Sequence, residues 1–171
     1  MHPRPILTAV LLFLVLAGPT LAEQLKVVSI SDGDTFTGLD SQNRQVKVRL
    51  HGIDAPEKAQ AFGNVSRKAL GDLIEGKTVE VQQVDKDRYG RVVANVHVGG
   101  VHVNRELVAK GLAWRYVQYD KKGEFTQVEQ AAKTARKGLW GDASPVPPWE
   151  WRKSEKERRA AKKGARVDGG R

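Results

Sequence analysis

Hydrophobic and polar positions alternate most cleanly over Arg44–Leu50, where Val46, Val48 and Leu50 interleave with Gln45, Lys47 and Arg49. A period of two predicts a strand with one face in a core and Lys47 and Arg49 together on the other. Short β-branched runs at Leu25–Ile30 and Thr35–Leu39 flank an Asp32-Gly33 turn signal and predict an antiparallel pair. Two further strands are predicted over Lys77–Val84 and Arg91–Val98, joined by Asp85–Gly90. After Glu57 the period lengthens. Phe62, Val65, Ala69, Leu70, Leu73 and Ile74 fit a helix with Asn64 as its cap and Gly76 as its stop, although Gly71 lies unfavourably inside it. A second helix is expected over Asn104–Lys110, with Leu107 and Val108 inward and Gly111 ending it, and a third over Thr126–Lys137. Leu112–Tyr119 reads as extended or irregular and rich in aromatics. The expected fold class is therefore α+β, mainly β: five short strands and about three helices, which suit a small closed β-barrel of the oligonucleotide-binding type.

The flanks carry a different composition. Ile6–Ala17 is almost wholly apolar and Thr20-Leu21-Ala22 resembles a cleavage site, so residues 1–22 read as a signal peptide, with an uncleaved N-terminal anchor as the alternative. The apolar run is short for a permanent membrane span. A folded domain is expected over 23–143. Pro145, Pro147 and Pro148 mark a linker, and the basic tail to Arg171 is expected to be disordered or marginally helical. The expected address is outside the cytoplasm, periplasmic or extracellular. The chain has no cysteine, which excludes disulfides, zinc–thiolate sites, thiol catalysis and a lipoprotein anchor. Lysine and arginine total 29 against 20 acids, a net charge of +9. More than half of that excess sits after Trp149, where nine basic side chains face four acids. Such a balance suits polyanions, whether nucleic acid, lipid head groups or surface sugars.

Three turns carry the candidate chemistry: Ser31-Asp32-Gly33-Asp34-Thr35, Arg49 to Glu57, and Asp87-Arg88-Tyr89-Gly90-Arg91. Taken singly, each has a plain reading as a turn or a solvated strand face. Together they place acids and arginines where chain reversals can bring them to one place. Pro56 biases Ala55 toward an extended conformation, so Asp54 and Glu57 belong to a rigid loop. Carboxylates and a backbone carbonyl beside an arginine suit a hard, oxygen-preferring cation next to a phosphate. His51, His97 and His102 lack metal spacing, and Trp140, Trp149 and Trp151 read as packing and tail-docking residues.

These motifs, in this order and with the Leu107 to Ala113 run that follows, resemble the staphylococcal nuclease (thermonuclease) family over about residues 25 to 140. The resemblance implies a closed barrel topology for these strands and a Ca²⁺-dependent phosphodiesterase acting on DNA and RNA and leaving 3′-phosphates; single strands are expected to be favoured, because the pocket must reach an unstacked nucleotide, and the chain is expected to act as a monomer. It implies that Asp34, Asp54 and the carbonyl of Ala55 hold the ion, with Asp32 and Thr35 beside them. Arg49 and Arg91 would stabilise a five-coordinate phosphorus, and Glu57 would act as general base or hold the attacking water. Arg88 and Tyr89, supported by Asp87, would meet the terminal phosphate and nucleotide. Tyr119 matches one stacking tyrosine; the other position falls on Val117, with Tyr116 and Trp114 close by as replacements. The loop from Lys58 to Gly63 is shorter than in the staphylococcal enzyme. The competing expectation is a non-catalytic polyanion-binding module of the cell envelope, which would have no need for the complete set of acids and arginines.

Overall fold

The computed structural model describes residues 22–168, with side chains described through residue 163; the expected signal peptide, apart from Ala22, lies outside the described residues. Strands β1 (Glu23–Ile30), β2 (Thr35–Leu39) and β3 (Gln45–Leu50) form an antiparallel meander. A two-residue strand β4 (Ile53–Asp54) and helix α1 (Gly63–Ile74) follow, then the long hairpin β5 (Thr78–Lys86) and β6 (Val92–Val98). β1 pairs with β5, and β3 pairs in parallel with β6 through Val48–Val92 and Leu50–Ala94. That last pairing closes five strands into the expected barrel and leaves no open edge between β3 and β6. The alternation in β3 is realised: Val48 and Leu50 are buried while Arg49 lies half-buried on the other face. They join Leu25, Val27, Phe36, Val79, Val81, Ala94 and Val96 in one continuous core.

α1 lays Leu70 and Ile74 on this core, but its entry differs from the expectation. Phe62 at φ 65°, not Asn64, precedes the first turn, and no side chain caps it. Packing dictates this. A Cβ on Gly63 would lie 1.9 Å from the carbonyl oxygen of Glu57, so only glycine lets the helix start against that loop. The Gly63 N–H donates to Gln60 O and the Gln60 N–H to Glu57 O, tying the loop that carries Glu57 to the helix.

Strand β7 (Val101–His102) continues from β6 into helix α2 (Val103–Ala109), which buries Val103, Leu107 and Val108. Asn104 on α2 is fully buried, accepting from Val96 N–H and donating to the carbonyls of His51 and Ala94. Strand β8 (Trp114–Arg115) pairs with β4, so part of the stretch expected to be irregular is a short sheet. Helix α3 (Thr126–Thr134) ends earlier than Lys137 because the chain turns through Arg136 at φ 49° into a 3₁₀ turn over Gly138–Gly141. Ala132, Leu139 and Trp140 make a second, smaller core there.

The largest departure is the tail. Pro148–Asp168 forms a helix, α4, giving four α-helices among the described residues instead of about three. Its sequence is too polar to signal a buried face, and its order starts from one end. Trp149 stacks on Tyr116 and meets Trp114 edge-on, and Gln60 Nε2 donates to Val146 O just upstream. No helix of the described residues is long and apolar enough to cross a membrane.

Candidate active site

Asp34 lies between β1 and β2 and is nearly fully buried. Its Oδ1 accepts from Thr35 Oγ1 at 2.9 Å and Arg49 Nη1 at 2.7 Å, and its Oδ2 from the Ala55 N–H at 2.9 Å. The cross-strand register sets Thr35 opposite Arg49, so the guanidinium reaches Asp34 across one strand pair. Arg49 Nη2 extends to Asp54 Oδ1 at 2.8 Å. One arginine thus bridges both aspartates. Asp54 is fully buried because β4 is pinned by β8, with Asp54 opposite Trp114.

Glu57 follows two residues after Ala55, its side chain 40% exposed at the rim and its N–H held by Gln60 Oε1 at 3.1 Å. The third turn is organised by Asp87. Its Oδ1 accepts from the N–H groups of Tyr89 and Arg91, and its Oδ2 from Arg91 Nε at 2.7 Å. Arg91 therefore presents its guanidinium with one edge already fixed. Arg88 lies over the Tyr89 ring at 4.9 Å and Arg91 approaches the same ring at 5.7 Å, while that ring stays 70% exposed.

All of these groups line one cavity of about 550 Å³. Of the residues proposed from sequence, Thr35 and Trp114 are not on its wall; Thr35 acts through Asp34. Tyr119 lines the cavity with an exposed ring, edge-on to Tyr116. Tyr116 also lines it, but one face of its ring is covered by Trp149 at 5.3 Å in near-parallel stacking. Trp114 is turned away into contacts with Trp140 and Trp149, and Val117 is exposed outside the cavity wall.

One wall residue was absent from the sequence reading. Arg152, in the first turn of α4, donates through Nη2 to Asp54 Oδ2 at 2.7 Å and through Nη1 to Glu57 Oε1 at 2.8 Å. A second contact from Nη1 reaches Asp54 Oδ1 at 3.2 Å. The signal that could have found it is the Trp149-Glu150-Trp151-Arg152 stretch, since two tryptophans in an otherwise polar tail need something to pack on.

The electrostatics follow from burial. Asp32 is pushed up to about 6, first by burial and then by the neighbouring Asp34 charge. Burial also raises Asp54, and its hydrogen bonds to Arg152 only partly offset this. Burial opposes the charge on Arg49 and on Arg152, yet their carboxylate partners outweigh it and hold both guanidiniums charged. Among the described residues no group of three or more His, Cys, Asp or Glu side chains converges as a metal cluster. The pair Asp34 and Asp54 is nevertheless a hard oxygen donor set. Both carboxylates are hydrogen-bonded to guanidiniums, Asp34 to Arg49 and Asp54 to Arg49 and Arg152, so a divalent cation held by them would replace part of that contact.

The profile of the family described as "Staphylococcal nuclease homologue" matches residues 47–142. An uncharacterized endonuclease of Haemophilus influenzae is 42% identical over 153 residues, covering 88% of this chain and 86% of that protein. Another, of Escherichia coli, is 40% identical over 145 residues, 83% of this chain and 94% of its own. A staphylococcal-like nuclease of Arabidopsis thaliana is 37% identical over 142 residues, 80% of this chain but 43% of the plant protein. The matched family segment holds Arg49, Asp54, Glu57 and Arg91 and stops before α4.

Proposed function

Because this chain belongs to the staphylococcal nuclease family, we propose that it is a nuclease that hydrolyses phosphodiester bonds in DNA and RNA. The observation that carries this reading is the convergence of Asp34, Arg49, Asp54, Glu57 and Arg91 on one cavity. Cleaving a phosphodiester concentrates negative charge on phosphorus-bound oxygens, and catalysis consists of supplying positive charge and positioning water. Arg49 and Arg91 are suited to this because a planar guanidinium can bind two phosphate oxygens and stays charged. Each is pre-oriented by a carboxylate, Arg49 by Asp34 and Asp54 and Arg91 by Asp87. Glu57 sits at the rim, where it orients a water and accepts its proton. The water oxygen bonds to phosphorus as its proton passes to Glu57, the bond to the 5′ oxygen breaks with the electron pair leaving on that oxygen, which takes a proton from solvent, and a 3′-phosphate and a 5′-hydroxyl result. Asp34, Asp54 and the Ala55 carbonyl would hold Ca²⁺, which when bound supplies further positive charge beside the phosphate.

The cavity lies at the rim of a barrel and its exposed tyrosines offer stacking faces, which favours an unstacked, single-stranded nucleotide over a rigid duplex. The apolar leader supports export to the periplasm or the medium, with the chain acting as a monomer. The test is incubation of the chain lacking residues 1–22 with plasmid, heat-denatured DNA and RNA, in Ca²⁺ or chelator, beside Glu57→Gln. Cleavage requiring Ca²⁺ and Glu57, faster on denatured DNA, is expected. Tight binding without cleavage in any condition would instead favour the polyanion-binding module.

A further inference from the structure

A second cavity, of about 430 Å³, opens beside the first and shares Glu57 and Arg152 with it. One wall is the loop after Glu57, through Lys58 and Ala59; the other is α4, through Trp151, Lys156 and Arg159. We propose that this groove binds the single-stranded polynucleotide flanking the cleaved phosphate, so that α4 is a second substrate-binding element. The proposal rests on the nuclease reading of the adjoining cavity.

Charge bookkeeping supports a polyanion. Of the two acids in the groove, Glu57 is engaged by Arg152 and Glu155 by Arg158 and, at 3.9 Å, Arg159. Lys58 and Lys156 have no ion-pair partner among the described residues, and both are exposed. Two elements far apart in sequence thus present unneutralised ammonium groups to the same space. Between them Trp151 is half-buried, with Arg158 at 5.5 Å over its ring. Cations along a track with an aromatic platform are what sequence-tolerant single-strand binding uses. From Arg152 to Arg159 the helix advances about 10 Å, enough to run beside about two successive phosphates. The helix lies outside the segment matched by the family profile, while the facing loop lies inside it.

The bland rival is diffuse attraction by a basic tail, and the two differ in where charge matters. Lys153 lies about 100° around α4 from Arg152, about 120° from Arg159 and about 60° from Lys156, and does not line the groove. Lys58→Gln, Lys156→Gln and Lys153→Gln each remove one charge from the full chain. Binding of a fluorescein-labelled single-stranded 12-mer in chelator is read by anisotropy at several salt concentrations. The groove predicts a loss of about 3- to 5-fold at 0.15 M salt, and a fall of about 0.7 in the salt slope, for Lys58→Gln and Lys156→Gln. Lys153→Gln is expected to lose less than about 1.5-fold on the same scale. Equal losses for all three, or none for Lys58→Gln, overturns the groove. Binding that follows this pattern without cleavage by the wild type would sink the nuclease reading and leave the groove standing.

Discussion

Two arginines reach the carboxylate of Asp54 by different routes. Arg49 stands on a central barrel strand, 19% exposed in its side chain, hydrogen-bonded to two buried aspartates and a member of the ladder that closes the barrel. Arg152 comes from a helix docked mainly through Trp149 and is 41% exposed. The strand-borne charge is positioned by the same pairings that make the fold, so its geometry is as stable as the barrel. The helix-borne charge depends on a small aromatic contact and can separate from the site while the barrel stays folded.

The change expected to matter most to chemistry is Glu57→Gln, which keeps shape and removes the proton acceptor; kcat should fall by about 10²- to 10⁴-fold with an unchanged melting temperature. Nuclease assays on denatured DNA check it, and a near-normal rate would remove Glu57 from the mechanism. Breaking the strand-borne bridge should cost most in stability. Arg49→Ala leaves Asp34 and Asp54 buried against each other and should lower unfolding free energy by about 3–5 kcal/mol in urea titrations. The helix-borne counterpart, Arg152→Ala, should cost only about 1 kcal/mol because the Arg152 side chain is already 41% exposed and Asp54 keeps Arg49 as its partner. It should, however, speed proteolysis between Pro148 and Lys163 without touching the barrel. Equal costs for the two arginines would erase the contrast.

The barrel has a pH sensitivity of its own, sited away from α4. His102 is lowered to about 4, first by burial, then by charge repulsion from His97, whose ring stacks on it at 4.6 Å, and least by repulsion from Arg105. Glu124 at 3.8 Å is too distant to hydrogen-bond and does not reverse this. The folded state keeps the imidazole neutral while the unfolded chain protonates near its ordinary value. The stability that His102 contributes is therefore complete above about pH 6.5 and is lost as pH drops toward 4, by at most about 3 kcal/mol, against the opposite trend from the raised Asp32 and Asp54. His102→Gln should flatten that decline in denaturation series run at pH 7, 5.5 and 4. An identical decline in the variant would place the sensitivity elsewhere.

The positions legible in advance share one property: their signal is local. Val46, Val48 and Leu50 announce a strand by spacing alone, and the face they leave outward is where Arg49 emerges. Gly111 at φ 65° ends α2 where a helix stop was expected. Asn64 misled because capping residues are judged by identity, whereas Gly63 and its contact with the Glu57 carbonyl determine where α1 begins. The charge and low apolar content of the tail point to a disordered or marginally helical segment. Its helix is instead organised from one end, by Trp149 on Tyr116, and brings Arg152 back across some hundred residues of chain.

Alternation and turn chemistry were enough to specify short strands with acids and arginines in the loops between them, because those features depend on neighbours a few residues apart; the barrel was implied by the family resemblance that the three charged motifs carry. Closure through the parallel β3–β6 pairing, burial of Asp54 by β8 and delivery of Arg152 by α4 depend on residues that meet only after folding. A spacing rule carries no information about such meetings. Surface shape and the pairing of buried charges decide them.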